Sequence, residues 1–349
     1  GIGSPDMPPH PEVIKVLQTE SANPANHAYQ GYKGSVVLRN AVAKWYKKWY
    51  QVTLDPDTEI LPLVGSKEGI MHICMTYLNE GDGVLIPNPG YPTYQAAARI
   101  AGANCIAYPL TKSGQWFPDF EALERTDLTQ VRLMFVNYPH MPTGQLPTRE
   151  MLTTLVAFAK KHEILLVHDN PYSFILNEEP ISLLSIEGAK DIALELNSWS
   201  KSHNMAGWRI GVLCGAKKRI DNVLRFKSNM DSGMFLPVQL AAARALDLGA
   251  DWHESVNTVY RRRREHVYTL LETLKCDFDK TQGGMFVWAG IPDHYDNGYT
   301  LSDKVLHQAN VFITPGGIFG SAGEKYVRVS LCATEENITE SIHRINKHI

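Results

Sequence analysis

Short apolar runs rich in β-forming residues alternate with helix-like stretches between residues 83 and 213. Strands that alternate with helices are typical of an α/β layer built around a mostly parallel sheet. We therefore predict one mostly parallel sheet flanked by helices. The runs are Gly83–Ile86, Val131–Val136, Ile164–Val167, Ile192–Leu196 and Ile210–Leu213.

Polar residues stand at the ends of three of these runs. Asn137 follows the second run, Asp169 follows the third and Ser198 follows the fourth. In open α/β sheets, ligands bind outside the carboxyl ends of the strands. These three positions are therefore candidates for chemistry.

The last third of the chain has a different pattern. A charged stretch from Val238 to Leu274 predicts consecutive helices, and its run Arg261–Arg264 is typical of a solvated helix face. After it, Gly284–Trp288 and Tyr326–Leu331 have the pattern of strands. We expect a second, smaller α+β unit here, since 349 residues suffice for one large and one small domain.

Charge and composition exclude several classes of protein. The 34 Lys and Arg residues nearly balance 37 Asp and Glu residues, so no basic surface for nucleic acid or membrane is expected. No apolar run approaches the roughly 20 residues that span a bilayer. Five scattered cysteines without a CxxC pair fit a reducing compartment, and we expect a cytoplasmic protein.

Common motifs for other cofactors are missing as well. The 13 histidines form no cluster at metal-ligand spacing, so no metal site is expected. Gly316–Gly320 is not a GxGxxG motif, which makes a nicotinamide dehydrogenase a poor fit.

The most informative segment is Ser198–Gly211. It places Lys201 just past a predicted strand end, between two serines, with Arg209 eight residues later. A lone lysine in a polar loop is usually a surface residue, but the flanking hydroxyls and the Gly-Trp-Arg sequence argue against that alternative. A lysine amine is a useful nucleophile when its pKa is lowered and a carbonyl is presented to it, as in Schiff-base chemistry with pyridoxal phosphate. The fork of Arg209 suits a phosphate dianion, and the hydroxyl of Ser198 can add a donor.

The Ser198-x-x-Lys201 sequence with the downstream Arg209 resembles the signature of class I/II, fold-type I aminotransferases. The resemblance implies an α/β fold-type I transferase that binds pyridoxal 5′-phosphate (PLP) as a Schiff base, the internal aldimine, on Lys201. It also implies a large domain over residues 40–250 and a small α+β domain built from both chain ends, residues 1–39 with 251–349.

Further motifs follow in the family's order and imply more cofactor-binding residues. Asp169 is expected to keep the pyridine nitrogen protonated, which makes the ring an electron sink. Asn137 and Tyr172 are expected to donate to the ring hydroxyl, and Tyr91 to stack on the ring. The family has Asn where this chain has Met141. The segment Gly65–Gly69 resembles the phosphate loop, with Ser66, Lys67 and Glu68 as its binding residues.

The resemblance also implies substrate and partner contacts. Arg328 is expected to bind the α-carboxylate of an amino acid, with Gly3 and Asn137 nearby. Tyr29 matches a tyrosine that reaches the phosphate of a neighbouring subunit, so a homodimer with shared active sites is expected.

These residues predict ping-pong transamination between an L-amino acid and a 2-oxo acid, with Lys201 as general acid and base. Two alternatives remain open: a PLP-dependent β-lyase on the same fold, and a regulator module that binds PLP without turnover. The segments Gly65–Gly69 and Asn229–Pro237 look closest to the diaminopimelate-aminotransferase-like branch, but a branch does not determine the amino donor.

Overall fold

The computed structural model describes residues 1–349. Eleven strands form two sheets. They are β1 (Ile60–Leu63), β2 (Gly83–Asn88), β3 (Asn104–Pro109), β4 (Val131–Asn137), β5 (Leu165–Asp169), β6 (Ala193–Ser198), β7 (Gly211–Gly215), β8 (Asp277–Phe278), β9 (Phe286–Gly290), β10 (Thr314–Pro315) and β11 (Tyr326–Ser330).

Thirteen α-helices connect and cover these strands. They are α1 (Pro11–Ser21), α2 (Val36–Tyr50), α3 (Ser66–Tyr77), α4 (Pro92–Ile100), α5 (Phe120–Glu124), α6 (Arg149–Lys161), α7 (Ala189–Ile192), α8 (Trp199–Ser202), α9 (Lys217–Lys227), α10 (Leu236–Leu246), α11 (Ala250–Thr273), α12 (Gly298–Ala309) and α13 (Glu335–His348).

The large sheet has seven strands in the order β1-β7-β6-β5-β4-β2-β3. The five strands from β6 to β3 are parallel, while β7 is antiparallel to both of its neighbours. This confirms the prediction of a mostly parallel sheet flanked by helices. Because β4, β5 and β6 are parallel neighbours, their last residues Asn137, Asp169 and Ser198 lie together at the carboxyl ends of the strands.

Side chains of the central strands alternate between two apolar cores, one on each face of the sheet. Leu166 belongs to the core that also holds Leu38 and Leu152, whereas Leu165 and Val167 belong to the core on the other face. Strands buried on both faces have continuous apolar runs, which is why the sequence pattern located them.

A buried polar network lies in the first of these cores. The Glu195 carboxylate accepts hydrogen bonds from the Tyr46 hydroxyl at 2.9 Å, the Ser182 hydroxyl at 2.8 Å and the Leu183 amide at 2.8 Å. Its Oε2 atom also lies 2.8 Å from Nδ1 of His168, which directly precedes Asp169. A buried charge needs such partners, so this network makes the polar residues of β5 and β6 compatible with the core.

The small sheet is antiparallel, in the order β10-β11-β9-β8. Residues from α11, α12 and α13 pack with it in a third core that includes Tyr260, Val287, Leu301 and Ile345. Arg328 lies in the middle of β11, opposite Trp288 of β9. This unit carries Arg328 to the edge of the large domain.

The N-terminal 39 residues do not all pack with the small sheet. Val13 of α1 and Leu38 of α2 belong to the first core of the large sheet, and α1 packs along α10. The division into 40–250 and 1–39 with 251–349 stays a prediction, and we propose one amendment. Only the segment before α1 is grouped with the small domain, where the Ser330 hydroxyl donates to the carbonyl of Ile2 at 2.8 Å.

The run Arg261–Arg264 on α11 is only partly solvated. Arg261 and Arg262 are exposed, as predicted, but Arg263 is buried. Its guanidinium donates to both carboxylate oxygens of Asp6, at 2.6 and 2.8 Å. The prediction of a solvated face is therefore wrong for Arg263. Its ion pair with Asp6 joins the N-terminal segment to α11.

None of the helices combines the length and the apolar character required to span a bilayer. All five cysteines are free, and Cys74, Cys214 and Cys276 are buried.

The buried side chain of His253 should make the stability of the protein depend on pH. His253 packs between Trp49, Phe174 and His203, and burial lowers its pKa to about 4. Below about pH 6.5 the unfolded chain therefore binds a proton that the folded chain excludes. As the pH falls from about 6.5 to about 4, we expect this group to remove up to about 3 kcal/mol of stability.

Urea unfolding of wild type and His253→Phe at pH 7.5 and 5.0 measures this contribution. The variant should lose less stability than wild type on acidification. His307→Asn, at an exposed position, is the control and should keep the wild-type difference. Equal losses in all three proteins would contradict the assignment.

Candidate active site

A cavity of about 430 Å³ lies at the carboxyl ends of the strands of the large sheet, where Phe286 and Arg328 of the small sheet also line it. Residues from several distant segments line it. Eleven of the residues predicted from sequence are among them: Gly3, Ser66, Lys67, Tyr91, Asn137, Asp169, Tyr172, Ser198, Lys201, Arg209 and Arg328.

Lys201 lies on the short helix α8, directly after β6. Its Nζ atom donates a hydrogen bond to the carbonyl of Gly3. Burial lowers the pKa of the Lys201 amine, and the nearby Arg209 and Arg328 lower it further, against opposing contributions from Cys332 and Asp169. A lowered pKa increases the neutral, nucleophilic fraction of the amine.

Asp169 is buried at the end of β5. Its Oδ2 atom accepts a hydrogen bond from the Tyr94 hydroxyl at 2.9 Å, whereas Oδ1 is buried without a partner. Burial raises the pKa of Asp169 to about 6, although Tyr94, His168 and Lys201 oppose the shift. A carboxylate with one unpaired buried oxygen suits a cationic hydrogen-bond donor in the cavity.

Asn137 is held in place by two hydrogen bonds. Its Nδ2 donates to the backbone carbonyl of Asp169 at 2.6 Å, and its Oδ1 accepts from the amide of Met141 at 2.8 Å. One Nδ2 proton remains for a ligand, because an amide group has two. Tyr172 also lines the cavity, and burial raises the pKa of its hydroxyl. The phenol therefore stays protonated and able to donate.

A second group of residues meets at the N-terminus of α3. Gly65 precedes this helix with φ +82°, and no side chain caps the helix. Its first amides have no intrahelical partner and, together with the helix dipole, favour an anion. The Arg209 guanidinium lies against Gly65, so that a Cβ atom there would overlap it. Glycine at this position lets Arg209 and the helix end approach the same anion.

Ser198 lines the cavity beside these groups. Its hydroxyl accepts a hydrogen bond from the amide of Ser200 at 3.1 Å and so caps α8, the helix that carries Lys201.

Arg328 reaches the cavity from the small domain and is buried. Its hydrogen-bond partners are neutral: Nη2 donates to the carbonyl of Gly1 at 2.9 Å and Nη1 to Sδ of Met141 at 3.4 Å. The Nε atom is buried without a partner. Burial lowers the pKa of Arg328 to about 10, so it remains charged at neutral pH. A buried cation of this kind suits a carboxylate ligand.

The prediction that Glu68 binds the cofactor is wrong for its side chain. Glu68 does not line the cavity; its Oε2 accepts from the amide of Val64, and its Oε1 lies 2.7 Å from Nε2 of His72. A carboxylate in the first turn of a helix can turn back to cap the preceding residues, and it does so here. Asp231, paired with the buried Lys227, lies close to Glu68 and His72.

Tyr29 is also outside the cavity of its own chain. Its side chain is 91% exposed, on the loop before α2. Within one chain it contributes nothing to the site, and its predicted role depends on a second subunit.

Sequence reasoning missed several residues of the cavity wall. Tyr94 bonds to Asp169 and lies three residues after Tyr91, on the helix that this motif begins. Phe286 and Phe319 flank the Arg328 guanidinium at 3.9 and 4.6 Å from their ring centres. The spacing between the two tyrosines is a signal that could have revealed Tyr94. The phenylalanines carry no local motif.

The charged residues of the cavity wall are unbalanced. Lys67, Lys201, Arg209 and Arg328 face one carboxylate, Asp169. Such a cavity favours ligands that carry several negative charges.

Comparison with known proteins agrees with this geometry. The family model described as "Aminotransferase class I and II" matches residues 1–345. The chain belongs to this family. An aminotransferase of class I and II uses PLP to transfer amino groups, so the chain is a PLP-dependent aminotransferase with the expected fold.

Among its relatives is the LL-diaminopimelate aminotransferase of Oleidesulfovibrio alaskensis, 40% identical and matched over 99% of this chain and 89% of that protein. The enzyme of the same name from Dehalococcoides mccartyi is 38% identical with the same coverage. The apo structure of BacF from Bacillus subtilis superposes with a TM-score of 0.96 at 37% identity, covering 99% of this chain and 93% of that one. These relatives favour an aminotransferase over the β-lyase and the regulator module.

The cavity fits the cofactor of this family. The unpartnered Oδ1 of Asp169 provides an acceptor for a protonated ring nitrogen. The N-terminus of α3 and Arg209 provide an anion site for a phosphate. Lys201 provides the amine that an aldehyde requires.

Proposed function

We propose that this aminotransferase transfers the amino group of an L-amino acid to a 2-oxo acid in two half-reactions that share one site. The imbalance of four cations against one carboxylate in the cavity wall carries the proposal. This excess of positive charge is complementary to the negative charges of the cofactor phosphate and of the substrate α-carboxylate. When bound, PLP supplies an aldehyde that captures amines and a ring that accepts electrons.

The phosphate is held by the N-terminus of α3. Ser66 and Lys67 contribute their amides and side chains, Arg209 contributes its guanidinium and Ser198 its hydroxyl. This arrangement is supported by the uncapped helix end and by the contact between Arg209 and Gly65. These four residues, from two segments of the chain, would hold the phosphate of the cofactor.

The ring is oriented by residues at the ends of β4 and β5. Asp169 would pair with the ring nitrogen through its unpartnered Oδ1 and keep that nitrogen protonated, because an ion pair favours the charged forms of both groups. Asn137 and Tyr172 donate to the ring hydroxyl. Tyr91 packs against one face of the ring, a role supported by its place in the cavity wall and its edge contact with Tyr94.

Lys201 attaches the cofactor and then moves a proton. The Lys201 amine would bond to the cofactor aldehyde and, when free, would act as the base that takes a proton from the substrate's α-carbon and as the acid that gives it back. Its lowered pKa supports this role as a base. Arg328 holds the α-carboxylate in a bidentate pair, and the carbonyl of Gly3 lies beside the amine of Lys201.

The substitution Arg328→Lys tests this assignment. The point charge of a lysine replaces a guanidinium that pairs with a carboxylate through two hydrogen bonds. The transition-state stabilisation calculated from kcat/KM should therefore fall by about 2–5 kcal/mol. The loss should be similar for acidic, aromatic and aliphatic donors, because all share the α-carboxylate. Steady-state kinetics with one donor of each kind measure it, and an unchanged Kd for the cofactor is the control. A loss confined to acidic donors would show that Arg328 binds a side chain instead.

We further propose a homodimer with shared active sites in the cytoplasm. Tyr29 is nearly fully exposed, and large apolar side chains that follow it in the chain, Tyr32, Val36 and Val37, are exposed as well. Phe235, whose ring lies 5.8 Å from that of His27, is also exposed. Several exposed large apolar side chains in one region of the chain favour an interface. The free cysteines support a reducing compartment.

Mixing two impaired variants tests the shared site, at a PLP concentration too low to load Tyr29→Ala. Tyr29→Ala should weaken cofactor binding by about 10-fold or more through loss of a phosphate hydrogen bond, at about 1.4 kcal/mol per tenfold. Lys201→Ala retains Tyr29 but lacks the amine. In a hybrid dimer, one of the two sites combines Tyr29 from one subunit with Lys201 from the other, so activity should reappear on mixing. A mixture that stays as inactive as its components would contradict the shared site.

A further inference from the structure

His168 and Glu195 form a buried pair beside the active site, although neither lines the cavity. Both residues are completely buried within their own chain, and they lie opposite each other in the parallel strands β5 and β6. His168 directly precedes Asp169, so the side chains of these two residues point to opposite faces of the sheet. The pair therefore adjoins the cofactor-binding carboxylate from the core side.

Both ring nitrogens of His168 lie beside hydrogen-bond acceptors. Nε2 is 3.0 Å from the backbone carbonyl of Tyr138, which has no proton to donate, so Nε2 must carry one. Nδ1 is 2.8 Å from Oε2 of Glu195. The ring is therefore an imidazolium if Glu195 is ionised, and a neutral imidazole if Glu195 is protonated and donates to Nδ1.

Three further donors favour the ionised form of Glu195. Its Oε1 accepts hydrogen bonds from the hydroxyls of Tyr46 and Ser182, and its Oε2 accepts one from the amide of Leu183. Hydrogen bonds donated to a carboxylate stabilise its charged form. With the Nδ1 proton of His168 as the fourth donor, each carboxylate oxygen accepts two hydrogen bonds.

A buried carboxylate also requires a positive partner. His168 is the basic residue within salt-bridge distance of Glu195. Tyr46, Tyr50 and Cys214 also lie near Glu195, and burial raises the pKa of each, so these three groups are neutral. A protonated His168 therefore balances the charge of Glu195 inside the core.

We propose that Glu195 holds His168 as an imidazolium, and that His168 is a positioning residue whose positive charge keeps the neighbouring Asp169 ionised. The inference rests on the proposed function, in which Asp169 pairs with the ring nitrogen of PLP. Burial raises the pKa of Asp169 to about 6, and the charge of His168 is one of the effects that oppose this rise. With a neutral His168, the pKa of Asp169 would rise further and its ionised form would be less stable.

The same ring also joins two strand ends that carry cofactor-binding residues. Its Nε2 donates to the carbonyl of Tyr138, which directly follows Asn137 at the end of β4. Asn137 in turn donates to the backbone carbonyl of Asp169. His168 thus acts on the site through both charge and backbone position, and the experiments below separate the two effects.

NMR of the holoenzyme, with histidine labelled with nitrogen-15, measures the protonation state of His168 directly. At about pH 8, where an ordinary histidine is neutral, both ring nitrogens of His168 should still carry a proton. The signal is assigned by its absence in His168→Asn, or by its change in Glu195→Gln if the first variant does not fold. A ring with one protonated nitrogen would overturn the proposal, because the proton would then belong to Glu195.

Two variants remove the charge by different routes. His168→Asn keeps a donor for Glu195 but has no charge, whereas Glu195→Gln removes the carboxylate that stabilises the imidazolium. Each should slow the amino-acid half-reaction by about 10-fold, a smaller effect than loss of Asp169 itself. The double variant should be no slower than either single variant, since both changes remove the same charge. A PLP analogue with a permanent positive charge on its ring nitrogen should restore the rate of each.

Tyr46→Phe is the matched control, because it removes a hydrogen bond to the same carboxylate and leaves the charge of His168 in place. Urea unfolding should show that all the variants are less stable than wild type, yet Tyr46→Phe should react at the wild-type rate. Equal slowing of Tyr46→Phe and His168→Asn, or a wild-type rate in His168→Asn, would overturn the inference and leave the role of Asp169 intact. A wild-type rate in Asp169→Ala would instead reject that role, and the inference with it.

Discussion

Replacing Lys201 with Ala is expected to reduce transamination by at least about 10⁴-fold. The change removes two functions at once, the covalent attachment of the cofactor and the group that moves the proton. The amine is buried with a lowered pKa, so no other group of the cavity replaces it easily. Single-turnover reaction with an amino donor measures the rate, and the absorption spectrum of the bound cofactor measures the attachment.

Lys67→Ala is the matched control, since Lys67 lines the same cavity. Its loss should weaken cofactor binding but leave the spectrum of the lysine-bound cofactor unchanged at saturation. A small primary amine added to Lys201→Ala should restore part of the proton transfer. Normal turnover with an unchanged spectrum in Lys201→Ala would reject the central assignment.

The sequence predicted the strands of the sheet interior better than those at its edges. Continuous apolar runs revealed β2, β4, β5, β6 and β7, since strands buried on both faces have few polar residues. The edge strand β3, Asn104–Pro109, is largely exposed, and β1 has only four residues. Neither has a pattern that distinguishes a strand from a loop. That β7 runs antiparallel depends on pairing, which apolar runs do not encode.

Site residues within local motifs were predictable, because each motif places a residue at a strand end or a helix start. Lys201 and Asp169 are of this kind. Contacts between distant segments were not predictable, such as those of Lys201 with Gly3 and of Arg328 with Phe286. Glu68 lies in a motif, yet its side chain turned to cap the preceding residues. The motif determined its position in the chain but not the direction of its carboxylate.

The buried arginine of α11 shows the same limit. Arg263 lies in a run of four arginines, where solvation is the general expectation. Its partner Asp6 is 257 residues away in sequence. Only the fold, which brings the N-terminal segment across to the small domain, turns one arginine of the run into a buried anchor.

Asp169→Ala is expected to leave PLP bound but to slow the amino-acid half-reaction by about 10²–10³-fold, the usual cost of removing one electrostatic group that stabilises a transition state. Oδ1 of Asp169 is buried without a partner in the chain, and burial raises the pKa of the carboxyl to about 6. Pairing with a protonated ring nitrogen stabilises the ionised carboxylate and the charged ring together. Without Asp169, the ring nitrogen loses its proton and accepts electrons less well.

A control variant and a cofactor analogue distinguish this electrostatic role of Asp169 from a structural one. Tyr94→Phe removes the hydrogen bond to Oδ2 and keeps the carboxylate, so its half-reaction should slow much less than that of Asp169→Ala. A cofactor analogue methylated on the ring nitrogen carries a permanent positive charge. It should restore much of the rate to Asp169→Ala, because the charge no longer depends on a neighbouring carboxylate. Rapid-mixing absorbance measures each half-reaction. If Asp169→Ala reacts at the wild-type rate, or if the methylated analogue restores nothing, Asp169 does not act through the charge of the ring.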